Sequence, residues 1–221
     1  MHNSLTRIQN VFGFFTTVAF VVAAFIAASD FAAPRTPSAS IKTTNVQVVK
    51  GRPHYYSTRK EEYAIIKFSL DADLSSLFTW NTKQLFVYVT AEWASPAGAN
   101  QTNSAVIWDS IITAPSSDHL ANVGPATLKK LKRSAAGKAV DPARGVLSLR
   151  NQRPKYQITH PGGRIAETAD VVLKVHYNVQ PWVGALTWSQ DRDYGLWKAV
   201  KGGLSKAFSL PAVKVKEAKK A

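Results

Sequence analysis

The stretch that decides the fold is Leu70-Asp71-Ala72-Asp73-Leu74-Ser75-Ser76-Leu77-Phe78-Thr79-Trp80-Asn81-Thr82-Lys83-Gln84-Leu85-Phe86-Val87-Tyr88-Val89-Thr90-Ala91-Glu92-Trp93. It reads as the end of one strand, a tight helical turn over 73–78 and a second strand. The residues just before it, 63–70, alternate, so Ile66, Phe68 and Leu70 share one face. Leu85 to Val89 is apolar on both faces, as in a central strand of a sandwich. Leu74, Leu77, Phe78 and Trp80 are expected to plug one end of the core. Asn81 and Lys83 then lead the chain into the second strand.

Further strand signals lie on either side, at 41–49, 105–113, 146–149, 170–179, 185–188 and 207–210. Turns separate the runs at Lys50-Gly51-Arg52-Pro53, Ser95-Pro96-Ala97-Gly98 and Pro161-Gly162-Gly163. Besides the turn at 73–78, one short basic helix is expected over 125–132, with Pro125 in its first turn. Seven or eight short strands predict an all-β body, an antiparallel β-sandwich with one or two short helices. With no cysteine in the chain, the disulfide of immunoglobulin domains is excluded, and so are thiolate metal sites.

The N-terminus departs from this pattern. Residues 11–28 form an apolar run with no charged side chain. Eighteen helical residues span about 27 Å, close to the hydrocarbon thickness of a thin bilayer. The run is apolar all round, with no polar stripe to face water. A retained transmembrane helix and a cleaved signal peptide both fit. The length favours an anchor, while Ala27-Ala28-Ser29 resembles a cleavage site. Arg7 precedes the run, and Asp30, Arg35 and Lys42 follow it, so basic residues near its ends do not fix the orientation. The sequon Asn100-Gln101-Thr102, in a turn-rich segment, makes Asn100 a candidate N-glycosylation site and favours a lumenal or extracellular body.

The chain has 221 residues and a formal net charge of +14. Residues 1–10 precede the apolar run, and a Pro/Ser/Ala stretch over 29–40 reads as a linker. The 41–211 body is long enough for one domain with a full core. Basic residues concentrate in an insert over 129–164 and in a tail over 212–221. Such blocks can bind nucleic acid or anionic headgroups, and a solvated loop and a frayed terminus have the same composition. No nucleic-acid motif accompanies them.

Candidate chemistry is sparse. Ser117-Asp118-His119 holds the residue types of a hydrolase triad, but neighbours in sequence rarely converge on one reacting atom. Gly203-Leu204-Ser205-Lys206-Ala207 lacks the closing glycine of a nucleophile elbow. The histidines lack metal-ligand spacing. Asp71 and Asp73 are too few oxygen donors for calcium. The reading is therefore of no enzyme, with no catalytic residue, cofactor or metal.

Residues 73–89, with Asp73, Phe78, Trp80, Asn81, Lys83, Gln84 and Tyr88 at their distinctive positions, closely resemble the hallmark segment of the signal peptidase complex subunit 3 family. The runs over 103–112, 171–181 and 208–211 resemble later segments of that family, and the apolar run stands where it has its single span. The resemblance is weak over 115–163 and beyond Pro211. It implies a type II single-pass protein of the endoplasmic-reticulum membrane, with a short cytosolic N-terminus, a transmembrane helix over 11–28 and a lumenal β-sandwich. It also implies a non-catalytic structural subunit that positions the catalytic subunit of signal peptidase for removal of signal peptides. The implied partners are that catalytic subunit, the other small membrane subunits, the lipid bilayer and the translocon, with no nucleic acid. The catalytic subunit's S-x-M-x-P box has no counterpart here, because Met1 is the only methionine. If exposed, Trp80, Trp93, Trp108, Trp182 and Trp188 are candidate interface anchors. The alternative from a different class is a secreted or cell-surface β-sandwich binding module whose signal peptide is removed.

Overall fold

The computed structural model of the chain describes residues 3–95, 101–114, 142–160 and 162–214. Asn100, the triplet at 117–119, the basic helix expected over 125–132, the insert's lysines and arginine from 129 to 138, and the tail beyond 214 lie outside the described residues.

The chain begins with one helix, α1 (Ser4–Phe31). Its 28 residues give a length of about 42 Å, so it extends beyond the apolar run at both ends. Asn3 caps it by accepting a bond from the Leu5 N–H at 3.1 Å. The Thr16 and Thr17 hydroxyls both donate to the Gly13 carbonyl at 2.9 Å, so neither polar side chain faces the surroundings unpaired. Asp30 is the helix's one buried residue.

Two antiparallel sheets follow. The smaller has the order β1 (Ser38–Gly51), β2 (Glu61–Asp73), β5 (Val146–Gln152). The larger has the order β4 (Thr102–Thr113), β3 (Thr82–Ala94), β6 (Val172–Pro181), β7 (Thr187–Trp188). Strand β2 alternates strictly, burying Ala64, Ile66, Phe68, Leu70 and Ala72. Leu85, Val87, Val89, Ala91 and Trp93 of β3 face it from the other sheet, together with Leu173, Val175, Tyr177 and Val179 of β6. The core is thus the apolar layer between two inner faces.

Several expectations change at this level. The 85–89 run is central, between β4 and β6, but it is not buried on both sides: Phe86 and Tyr88 point outward and are half-buried. The stretch expected as a linker over 29–40 is short and fixed, since α1 runs to Phe31 and β1 starts at Ser38. The strand expected over 207–210 shrinks to a single bridge between Val171 and Phe208. The reason is that the closing segment serves both sheets. Lys201 O accepts from Ala39 N at 2.9 Å on the β1 side, and Gly203 O accepts from Val175 N at 2.9 Å on the β6 side. A chain that alternates between sheets cannot form a ladder along either. Gly202 makes the crossing possible: its φ is 74°, and a Cβ there would lie 2.6 Å from the Ala39 carbonyl oxygen.

Candidate functional site

The helix meets the sandwich through buried polar contacts rather than a tether. Arg35 is 1% exposed and Asp30 8%. Arg35 Nη2 donates to Asp30 Oδ2 at 2.6 Å, and Nη1 donates to the Thr187 hydroxyl, also at 2.6 Å. The guanidinium lies 4.0 Å from the centre of the Trp197 ring, and Phe31 stacks on that ring at 5.1 Å. The Arg35 backbone is fixed as well: its N–H donates to Leu196 O and its carbonyl accepts from Lys198 N. Arg35 therefore ties the last turn of α1 to β7 and to the closing segment at once. Two buried donors, Arg35 Nε and Trp197 Nε1, have no hydrogen-bond partner, so the junction is specific in geometry more than it is a large net source of stability.

The hallmark segment builds the floor of this junction. Asp73 Oδ1 accepts from the Ser75 N–H at 3.0 Å and the Ser75 hydroxyl at 2.6 Å, starting the 3₁₀ turn Ser75–Leu77. Those two bonds hold the Asp73 carboxyl below its ordinary range. Leu74 and Leu77 are fully buried and Phe78 packs against the core, whereas Trp80 is 67% exposed and plugs nothing. Asn81 is buried and clamps the loop after β6: its Nδ2 donates to Val183 O at 2.7 Å and its Oδ1 accepts from Val183 N at 3.1 Å. The clamped loop reaches α1, for a Cβ on Gly184 would lie 3.3 Å from the Ala27 Cβ. Lys83 Nζ sits 5.2 Å from the centre of the Trp182 ring, and Gln84 Nε2 donates to Gln180 Oε1 at 2.5 Å.

The outer face of the larger sheet carries an aromatic row. Tyr88 stacks on His176 at 4.9 Å and on Phe86 at 5.4 Å, and meets Trp188 edge-on at 6.4 Å. Trp188 is 52% exposed and Ile111, opposite Phe86 on β4, is 57% exposed. Polar pairs surround the row, namely Gln84 with Gln180, Lys174 with Asp191 at 2.8 Å and Lys155 with Asp109 at 3.1 Å. An apolar centre with a polar rim has the anatomy of a protein–protein interface. His176 is held from both sides, by the Ser189 hydroxyl at 3.2 Å and the Thr90 hydroxyl at 3.1 Å, with Glu92 at 3.6 Å. Burial, and then the Lys174 ammonium, push its pKa below that of ordinary imidazole; Glu92 and Asp191 pull the other way.

A model of the family described as signal peptidase subunit matches residues 1–127 and 140–196. The chain belongs to the signal peptidase subunit family. It is 32% identical to signal peptidase complex subunit 3 of Saccharomyces cerevisiae over 198 residues, covering 86% of this chain and 92% of that one. It is 32% identical to the Drosophila melanogaster protein of the same name over 161 residues, 72% of this chain and 73% of that one. With the Dictyostelium discoideum protein of that name it shares 39% identity over 147 residues, 66% of this chain and 68% of that one. The segment between the two matched stretches of this family member, 128–139, includes Lys129, Lys130, Lys132, Arg133 and Lys138.

The structure sorts the residues singled out from the sequence of this signal peptidase subunit. Trp93 and Trp108 are 5% and 6% exposed and belong to the core, so the exposure that an interface anchor needs is not met. Trp182 is 37% exposed, at the helix foot. Asp71 accepts from the Ser148 hydroxyl, and the Ser205 hydroxyl accepts from Leu173 N, so both bind their own chain. The Asp30–Arg35 pair escaped sequence reasoning. Its signal was an acid immediately after an apolar run, with an arginine five residues on.

Proposed function

We propose that this chain is the non-catalytic structural subunit of the endoplasmic-reticulum signal peptidase complex, and that it works by holding the catalytic subunit in a fixed position. Membership of the signal peptidase subunit family, over most of the chain, carries this reading. The junction supports a mechanism for it. With α1 fixed to the sandwich by Arg35, the domain has one height and one tilt relative to the bilayer. A partner bound to that domain inherits both, which is positional preorganisation without a nucleophile of its own.

The docking surface in this reading is the aromatic row Phe86, Tyr88 and Trp188 on the outer face of the larger sheet. The orientation is N-terminus cytosolic and sandwich lumenal. The sequon Asn100-Gln101-Thr102 supports it, since such a sequon favours a body on the lumenal or extracellular side. The domain bounds are a cytosolic segment 1–10, a transmembrane segment 11–28 within α1, and a lumenal body up to 211. The other small membrane subunits and the translocon are further partners in this reading. A secreted module is not favoured, since cleavage after Ala28 would fall inside α1 at the turn that docks on the domain.

Complementation tests the proposal. In cells depleted of their own subunit 3, this chain is expected to restore cleavage of a secretory preprotein. The double variant Tyr88→Ser, Trp188→Ser, changed only on the outer face, is expected to accumulate in the membrane and restore nothing. Full restoration by that variant would remove the aromatic row from the docking surface.

A further inference from the structure

The end of the sandwich from which α1 leaves is covered with apolar side chains that no other described residue buries. Trp80 is 67% exposed, Leu186 57%, Tyr194 61% and Leu196 53%. They stand on loops, where polar residues are the norm. The loops are not loose. Asn81 clamps the one at 182–183. The other is a tight turn in which Tyr194 and Trp197 exchange backbone bonds at 2.8 and 2.9 Å, around Gly195 at φ 55°. Each fixed loop presents its apolar residues outward.

Their level relative to the bilayer follows from contacts with α1. The 182–186 loop touches Ala27, in the last turn of the apolar run, and the 194–197 turn packs on Phe31 through Trp197. Phe31, Tyr194, Leu196, Trp197 and Gln190 line an apolar cleft that continues the surface of the helix on to the domain. Residues 27–31 of a span that ends at about 28 lie at the hydrocarbon–headgroup boundary. Tryptophan and tyrosine concentrate at that boundary in membrane proteins. Lys83 over the Trp182 ring adds an aromatic body beside a cationic tip, which suits a headgroup layer.

We infer that these loops form a second membrane contact, with Trp80, Leu186, Tyr194 and Leu196 resting in the headgroup layer of the bilayer that α1 spans. The occupant of the patch is lipid, and the helix is the reason: the patch is continuous with the surface of α1. The inference rests on α1 spanning the membrane. It makes the domain lie on the bilayer rather than stand above it on a single stalk.

The test uses the full chain in phosphatidylcholine nanodiscs. The chain has no cysteine, so single spin labels can be placed at Leu186→Cys and Leu196→Cys. Val18→Cys in α1 and Thr102→Cys at the opposite end of the sandwich serve as references. All four positions are exposed, so the fold tolerates the labels. The reading is the ratio of collision rates with oxygen and with a water-soluble nickel chelate. The expected ratios at 186 and 196 fall between that of 102, in water, and that of 18, in hydrocarbon. Ratios at 186 and 196 equal to that at 102, with 18 still in hydrocarbon, would overturn the membrane contact alone. A water-like ratio at 18 would overturn the spanning of α1, and the contact with it.

Discussion

Arg35→Met removes the guanidinium while keeping most of the aliphatic stem. The side chain is 1% exposed and makes two donor bonds of 2.6 Å, one of them to the carboxylate of Asp30. Deleting one partner of a buried pair leaves the other charge uncompensated, at a cost of about 3–5 kcal/mol. The Thr187 hydroxyl and the stack on Trp197 lose their partner as well. That loss falls on the junction and not on the core, because Ile66, Phe68, Leu85 and Val87 do not depend on Arg35 for burial. The expected result is therefore local. The sandwich stays folded and α1 comes off it. Double electron–electron resonance between labels at Val18→Cys and Thr102→Cys reads this directly. The parent chain is expected to give one narrow distance distribution and Arg35→Met a broad one. The double variant Asp30→Asn, Arg35→Met no longer buries an unpaired charge. Its cost is expected to fall short of the sum of the single variants by roughly 1–3 kcal/mol. A narrow distribution in Arg35→Met would refute the junction as the element that fixes the domain.

Other expectations follow from the same contacts. A Cβ on Gly145 would lie 2.4 Å from the Ser75 nitrogen, a backbone atom of the hallmark turn. Gly145→Ala is therefore expected to cost about 1–3 kcal/mol by overpacking, read as a lower urea midpoint. His176 has a depressed pKa in the fold, chiefly through burial. Its contribution is fully present above the unfolded value of about 6.5 and is lost as pH falls through the folded value. Urea midpoints should drop on acidification below that unfolded value, and His176→Asn should flatten the drop. In intact microsomes the sandwich is expected to resist added protease. Strand β3, 13 residues long, carries the chain roughly 40 Å from the helix foot before the Asn100 sequon. Asn100→Gln is expected to remove an endoglycosidase-sensitive band.

How far the sequence could be read depends on period. The alternation of Ile66, Phe68 and Leu70 gives the inner face of β2 directly, since a strand's side chains alternate. Trp93 shares the parity of Leu85, Val87 and Val89, so its burial was there to be read. Trp108 was not, because a bulge in the pairing between Val89 and Thr90 turns both Ile107 and Trp108 inward. The segment after β7 has no period, since its backbone bonds go to two sheets in turn. The hallmark residues could be picked out, but not their separate duties. Asn81 acts on a loop 102 positions away in the chain, and no local pattern announces such a bond. The outward aromatics Phe86 and Tyr88 read as core because 85–89 is apolar on both faces, yet among the described residues only the inner face of β3 is fully covered.

The central claim is that this chain is a working part of signal peptidase. Affinity purification of the tagged full chain from digitonin-solubilised endoplasmic-reticulum membranes, with mass spectrometry of what accompanies it, tests that most directly. The serine-containing catalytic subunit is expected in near-equal amount, together with preprotein-cleaving activity in the eluate. A purified chain that brings no catalytic subunit with it, or that cleaves preproteins alone, would contradict it.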